Sequence, residues 1–140
     1  MELLFEIDLR DYELGDNVFS RPSARGGIFD DCGRIALVYS QKEKYYKFPG
    51  GGILSGEDKK EALIREVREE TGLVVIPKSV REFGSVLRRQ KSNKTPNTIE
   101  VHMTTFYFVR HGHMDTSMAG KKFYKDFSYN MMTLSKKGIG

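Results

Sequence analysis

The run Gly51-Gly52-Ile53-Leu54-Ser55-Gly56-Glu57-Asp58-Lys59-Lys60-Glu61-Ala62-Leu63-Ile64-Arg65-Glu66-Val67-Arg68-Glu69-Glu70-Thr71-Gly72-Leu73 passes from a glycine-rich loop into a helix and leaves it through a glycine. The pattern predicts a helix over about 58–71, with Gly72 in the usual C-terminal position. Glu66, Glu69 and Glu70 fall at i, i+3 and i+4, so they share one face about one turn long. Leu63, Ile64 and Val67 fall on a neighbouring face able to pack on a sheet. Like charges at this spacing cost a few tenths of a kcal/mol, so a purely structural helix has little reason to crowd them. Three carboxylates within a turn suit a hard divalent cation, which takes oxygen ligands. A solvated acidic face, with Arg65 pairing to Glu61 and Glu69, is the plainer alternative. The preceding Pro49-Gly50-Gly51-Gly52 favours the cation, because glycines let backbone approach a ligand closely.

Around this run the chain reads as strands. Alternation predicts one over 3–9. A polar connection over 10–22 follows, with turn chemistry at Gly15-Asp16-Asn17. Residues 24–29 and 34–40 form a hairpin about Asp30-Asp31-Cys32-Gly33. Residues 45–48 make a short aromatic strand, and strands are expected over 73–76, 80–87 and 98–109. Beyond about Gly112 no clean periodicity remains, and an atypical, poorly ordered tail is expected over 112–140. One helix among many strands is an α/β architecture with a mixed sheet.

A chain of 140 residues with 39% hydrophobic and 30% charged residues fits a single domain over 1–140. No apolar run approaches the roughly 18 residues of a membrane helix, and the start lacks the pattern of a secretory signal. With one cysteine, Cys32, a disulfide within the chain and a cysteine zinc cage are excluded, and a cytoplasmic setting is expected. The net charge of +4 weakly favours anionic partners. It is unevenly spread, acidic over 57–70 and basic at Arg88, Arg89, Lys91 and Lys94.

At this point the sequence resembles a Nudix hydrolase of the MutT-like kind. Gly51, five residues, Glu57, seven residues, then Arg65-Glu66-Val67-Arg68-Glu69-Glu70-Thr71-Gly72-Leu73 meet every defined position of that family's box. The resemblance implies an α/β/α sandwich with a mixed β-sheet and a loop–helix–loop catalytic box. Carried over position by position, Glu66, Glu69 and Glu70 become metal ligands, with the carbonyl of Gly50 or Gly51 beside them. Glu66 also takes a place that handles the attacking water in some members, and Arg65 with Glu57 braces the loop on the helix. The implied cofactor is Mg²⁺, with Mn²⁺ as a substitute. The implied reaction is hydrolysis of a nucleoside diphosphate linked to another group, most simply a nucleoside triphosphate giving a monophosphate and pyrophosphate. Two alternatives stand: a nucleotide-sensing module of low turnover, and a 5′-triphosphate RNA pyrophosphohydrolase, with RNA the less favoured partner.

Two positions depart from the family. Leu54 stands where many members carry another loop acid. The tail is basic where an acidic loop and closing helix are usual, which leaves Glu100 as a weak replacement ligand. Arg88 and Lys91 stand where ADP-ribose and dinucleoside polyphosphate specialists carry proline and tyrosine. For substrate contact Arg25, Phe48, Arg88 and Arg89 are nominated. Arg21 and Arg25 read equally well as a solvated strand edge, Tyr45, Tyr46 and Phe48 as sheet packing, and the 88–94 segment as a solubilising loop. His111 and His113 read as an exposed loop pair before they read as metal ligands. The oligomeric state stays open, a homodimer included.

Overall fold

The structure is a computed structural model that describes residues 2–31, 33–40, 43–114 and 127–133, with side chains to residue 110. Alternating apolar residues build a mixed sheet whose central pair is β2 (Asn17–Phe29) and β8 (Thr98–Met114). These run parallel and in register from Asn17 beside Thr98 to Phe29 beside Arg110. β7 (Arg81–Lys91) lies antiparallel on the other edge of β8, and β1 (Leu3–Asp8) lies parallel to β7. On the far side β3 (Arg34–Ser40) follows β2 through the expected hairpin and takes β4 (Tyr45–Lys47) on its edge. β5 (Gly50–Gly52) pairs with β2, and β6 (Leu73–Val75) pairs with the end of β8.

α1 (Lys59–Thr71) is the single α-helix among the described residues. It starts where the Asp58 side chain accepts the Glu61 N–H at 2.8 Å. It stops at Gly72, whose φ of 74° and N–H bond to the Arg68 carbonyl close the last turn. Leu63 and Val67 of its apolar face pack on Ala24 and Ile28 of β2 and Tyr107 and Val109 of β8, all buried. No helix among the described residues is long and apolar enough to cross a membrane.

The sheet is more extensive than the residue pattern predicts. The stretch read as a polar connection becomes strand from Asn17 onward, its residues 17–22 held by six of the thirteen register pairs between β2 and β8 rather than by their own hydrophobicity. Likewise β7 runs on to Lys91, so Arg88 and Arg89 are strand residues between β1 and β8 and not part of a loop. His111 and His113 lie in β8 opposite Val75 and Val74, not in a loop. Within the segment expected to be tail, β9 (Phe127–Thr133) pairs antiparallel with β3 over seven positions. Partner strands far off in sequence supply that order, which composition cannot show. The rest of the expected tail, and Cys32, lie outside the described residues.

The fully buried Leu63 anchors α1 on the sheet. Leu63→Ala is expected to cost about 2–5 kcal/mol. In urea the midpoint falls while the m-value stays the same. An unchanged midpoint would show that α1 is not held by this contact.

Candidate functional site

The glycine strand β5 is short because the site needs it close. Gly50 adopts a φ of 148°, and a Cβ there would lie 2.2 Å from the Ala24 carbonyl oxygen. At Gly51 a Cβ would lie 2.7 Å from the Glu66 carboxyl. Bare backbone therefore forms the wall against which the helix glutamates rest.

Arg65 ties this wall to the helix. Its Nε and Nη2 donate to the two carboxylate oxygens of Glu57 at 2.7 and 2.9 Å, a bidentate fork. Nη2 also donates to the Gly52 carbonyl at 3.0 Å. Nη1 reaches Glu66 at 2.9 Å and Glu69 at 3.4 Å. The guanidinium holds the Glu57 carboxyl down at about 2, helped by the Leu54 N–H. The same carboxylates raise the pKa of Arg65 beyond its ordinary value. The Arg65–Glu57 brace expected from the box is thus present, but Arg65 pairs with Glu57 and Glu66 rather than with Glu61.

Glu66 and Glu70 are buried, while Glu69 is partly exposed. Glu70 accepts the Gly50 N–H at 3.1 Å. Burial pushes its carboxyl up to about 7, against that N–H and the nearby cations Arg25 and Lys47, with Glu66 adding to the rise. Glu66 and Glu70 meet the glycine strand and Glu69 is linked to it through Arg65, yet among the described residues no three carboxylate, imidazole or thiolate groups converge on one point. Arg65 holds oxygens of two of them and Gly50 holds one of the third. The donor set nevertheless fits a hard divalent cation: carboxylate oxygens, backbone carbonyls and a cradle at Gly51 that any side chain would fill.

The other nominated residues separate. Arg25 leaves β2 on the face opposite α1 and donates to the Phe48 carbonyl at 2.8 Å and the Gly50 carbonyl at 3.4 Å, so it braces the loop from behind. The Phe48 ring meets Phe106 edge-on, with centroids 6.4 Å apart. Arg88 lines an open cleft with Arg25 and Phe106. Arg89 does not join it: consecutive strand residues point to opposite faces, and Arg89 is ion-paired with Glu6. Glu100 lies on the same face as Arg88, beside His102 and away from the helix glutamates, so its nomination as a further metal ligand gains no support. Leu54 is exposed. Lys47, which the residue pattern does not single out, is half-buried and within electrostatic reach of Glu70 and Glu66, its pKa lowered by burial and by Arg25. Its position two residues before Pro49 in a short strand was the available signal.

Residues 20–122 match the family model described as the NUDIX domain. The chain is 37% identical over 87 residues to the mouse nucleoside diphosphate-linked moiety X motif 6, covering 60% of this chain and 25% of that protein. It is 34% identical over 77 residues to an ADP-ribose pyrophosphatase of Methanocaldococcus jannaschii, covering 52% and 43%. It is 37% identical over 68 residues to an RNA pyrophosphohydrolase of Halorhodospira halophila, covering 49% and 36%. The chain thus spans less than half the length of these relatives. A MutT NUDIX hydrolase from Burkholderia pseudomallei shares the fold, with a TM-score of 0.61 at 17% identity over 83% of this chain and 84% of that one.

Two outcomes test this geometry. Arg65→Lys cannot supply the fork, and a loss of about 10–100-fold in activity or metal affinity is expected with the circular dichroism spectrum retained; wild-type activity would dismiss the brace. In EDTA, Glu70 has a folded-state pKa above its ordinary 4.5. The folded protein then binds the extra proton, so this group costs stability as pH rises from about 4.5 to about 7. Glu70→Gln removes the cost, and at pH 8 the variant is expected to be more stable, with roughly 3 kcal/mol as the upper bound. Urea midpoints at pH 5 and pH 8 check this; equal pH slopes in both proteins would show that Glu70 ionises without penalty.

Proposed function

Because the chain belongs to the NUDIX domain family, we propose that it hydrolyses the pyrophosphate bond of a nucleoside diphosphate linked to a further group. A nucleoside triphosphate is the simplest such substrate. Water and the triphosphate then give a nucleoside monophosphate and pyrophosphate. The observation that carries this reading is the Arg65 fork, which ties Glu57, Glu66 and Glu69 to the glycine strand at Gly52 while the Gly50 N–H holds Glu70.

In this reading Glu66, Glu69 and Glu70, with the Gly50 carbonyl, would hold Mg²⁺ or Mn²⁺. The bound cation would neutralise phosphate charge and lower the pKa of water. The chain's own residues do the positioning. Arg65 keeps Glu66 and Glu69 from splaying, and Gly50 fixes one oxygen of Glu70. Glu66, buried at the cradle, is assigned the proton of the attacking water. Arg25 holds the loop and presents its remaining guanidinium edge to the cleft, where a polyphosphate oxygen can accept from it. Relatives named for ADP-ribose and for RNA show that the linked group varies among similar proteins, so it has to be read from this chain's own cleft.

A panel of nucleoside triphosphates, nucleoside diphosphate sugars and 5′-triphosphate RNA, with Mg²⁺ or Mn²⁺ and products weighed by mass spectrometry, tests the reading. Turnover is expected for at least one class, and Glu69→Gln is expected to fold normally and lose most of it. Full activity of Glu69→Gln at ordinary Mg²⁺ would sink the metal assignment. No turnover anywhere in the panel would favour a sensing module.

A further inference from the structure

The sheet face opposite α1 carries cations in a set order. Strand register places its side chains in rows. Arg25 of β2 stands beside Phe106 of β8. Two residues along, Ser23 stands beside Thr104, their hydroxyls 3.0 Å apart. Two more residues along, Arg21 stands beside His102, and His102 beside Arg88 of β7. Arg21, His102 and Arg88 therefore share one row across three strands, about 13 Å from Arg25 at the usual rise of a strand.

Arg25, Thr104, His102 and Arg88 line one open cleft of about 450 Å³, and Arg21 lines the hollow next to it. Among the described residues neither Arg21 nor Arg88 has an ion pair or a side-chain hydrogen bond, whereas the neighbouring Arg89 is paired with Glu6. The Nε2 atom of His102 is buried with no hydrogen-bond partner, the Glu100 carboxylate lying 3.7 Å away. Two guanidiniums in one row, about 10 Å apart across two strand spacings, raise the local potential and attract anions. This row, about 13 Å from Arg25, is within reach of a chain of phosphates whose first group lies at the glycine loop. Between the two cationic rows lie the Ser23 and Thr104 hydroxyls, which can donate to a sugar or phosphate. Beside Arg25 the Phe48–Phe106 pair offers aromatic surface for a base.

We propose that this face binds the first nucleotides of a single-stranded RNA whose 5′ polyphosphate lies at the glycine loop, with Arg21 and Arg88 as the residues that hold its backbone phosphates. The proposal rests on the hydrolase reading above and names the linked group: an RNA chain begun from a nucleoside triphosphate, the source of a 5′ polyphosphate. The next row holds Phe19, Glu100 and Gln90, where the Glu100 carboxylate ends the cationic stretch. The track is therefore short, about three nucleotides long at strand spacing.

The test separates binding from hydrolysis. Fluorescence anisotropy follows 3′-labelled ribonucleotides of one to six residues carrying a 5′ monophosphate, the product end, in the full chain. Affinity is expected to rise at least about tenfold from the mononucleotide to the trimer and then level off, with each bound phosphate contributing about 0.7 to the salt slope. Arg21→Ala and Arg88→Ala, both at exposed positions, should each lower hexamer affinity about 5–10-fold and lower that slope by about 0.7, while the lysine variants keep the slope. Equal affinity for monomer and hexamer, or slopes unchanged in both alanine variants, would overturn the track; nucleotide turnover would then still support the hydrolase. Arginine-dependent hexamer binding would support the track even if no nucleotide in the panel were turned over, and would place the failure in the hydrolase reading.

Discussion

The Arg65 guanidinium joins three stretches of chain: the loop at Gly52, the turn at Glu57 and the helix face at Glu66 and Glu69. Five donors in a rigid plane are needed to do this, and lysine has neither the plane nor the number. The fork explains why an acidic helix face, unfavourable by itself, is tolerated. Glu66 and Glu69, which would repel each other, share the Arg65 cation, so that part of the crowding becomes a network. It also explains the glycines. Gly50 and Gly51 must present bare backbone: β2 lies so close that a Cβ at Gly50 would strike the Ala24 carbonyl, and the helix so close that one at Gly51 would strike the Glu66 carboxyl.

The same closeness sets the electrostatics. Glu57 faces a cation and is held as an anion far below the ordinary carboxylate range, while Glu70, thirteen residues on, is buried beside another carboxylate and pushed the opposite way. Two glutamates of one short motif thus have opposite shifts, decided by what surrounds them and not by residue type. Burial, more than the neighbouring Glu66, sets the Glu70 shift, and a divalent cation held there would offset it.

What was legible in the sequence follows from how local each signal is. The helix, its glycine stop and the Glu66, Glu69 and Glu70 face depend on residues within one or two turns, and they came through intact. The Arg65–Glu57 brace was legible only through the resemblance, because bare spacing pointed equally to Glu61. Strand extent was not legible. Residues 17–22 carry arginine, serine and proline and read as a connection, yet a partner more than 80 residues away makes them strand. Nor could composition reveal β9, whose order comes from β3. Lys47 escaped notice for the same reason: its place near Glu70 comes from tertiary folding.

Extending β7 to Lys91 changes what the basic segment means. Read as a loop, Arg88 and Arg89 are equivalent and act together. Set in a strand, they alternate, one towards the cleft and one towards Glu6. The period of two thus sorts a run of like charges into one cation with a partner and one without. In the same way it puts Arg25 and Arg21 on one face of β2 and keeps Ala24 and Ile28 for the core on the other. The sheet is therefore two-sided in chemistry as well as packing. One side is consumed by α1 and the stability it brings; the other meets that helix's glutamates only at the glycine strand, where Arg25 passes from the open face to the Gly50 carbonyl. Under the proposed function, a ligand lying on the open face and reaching the glutamates would pass that residue, and Arg25 would join binding on one side of the sheet to chemistry at its edge.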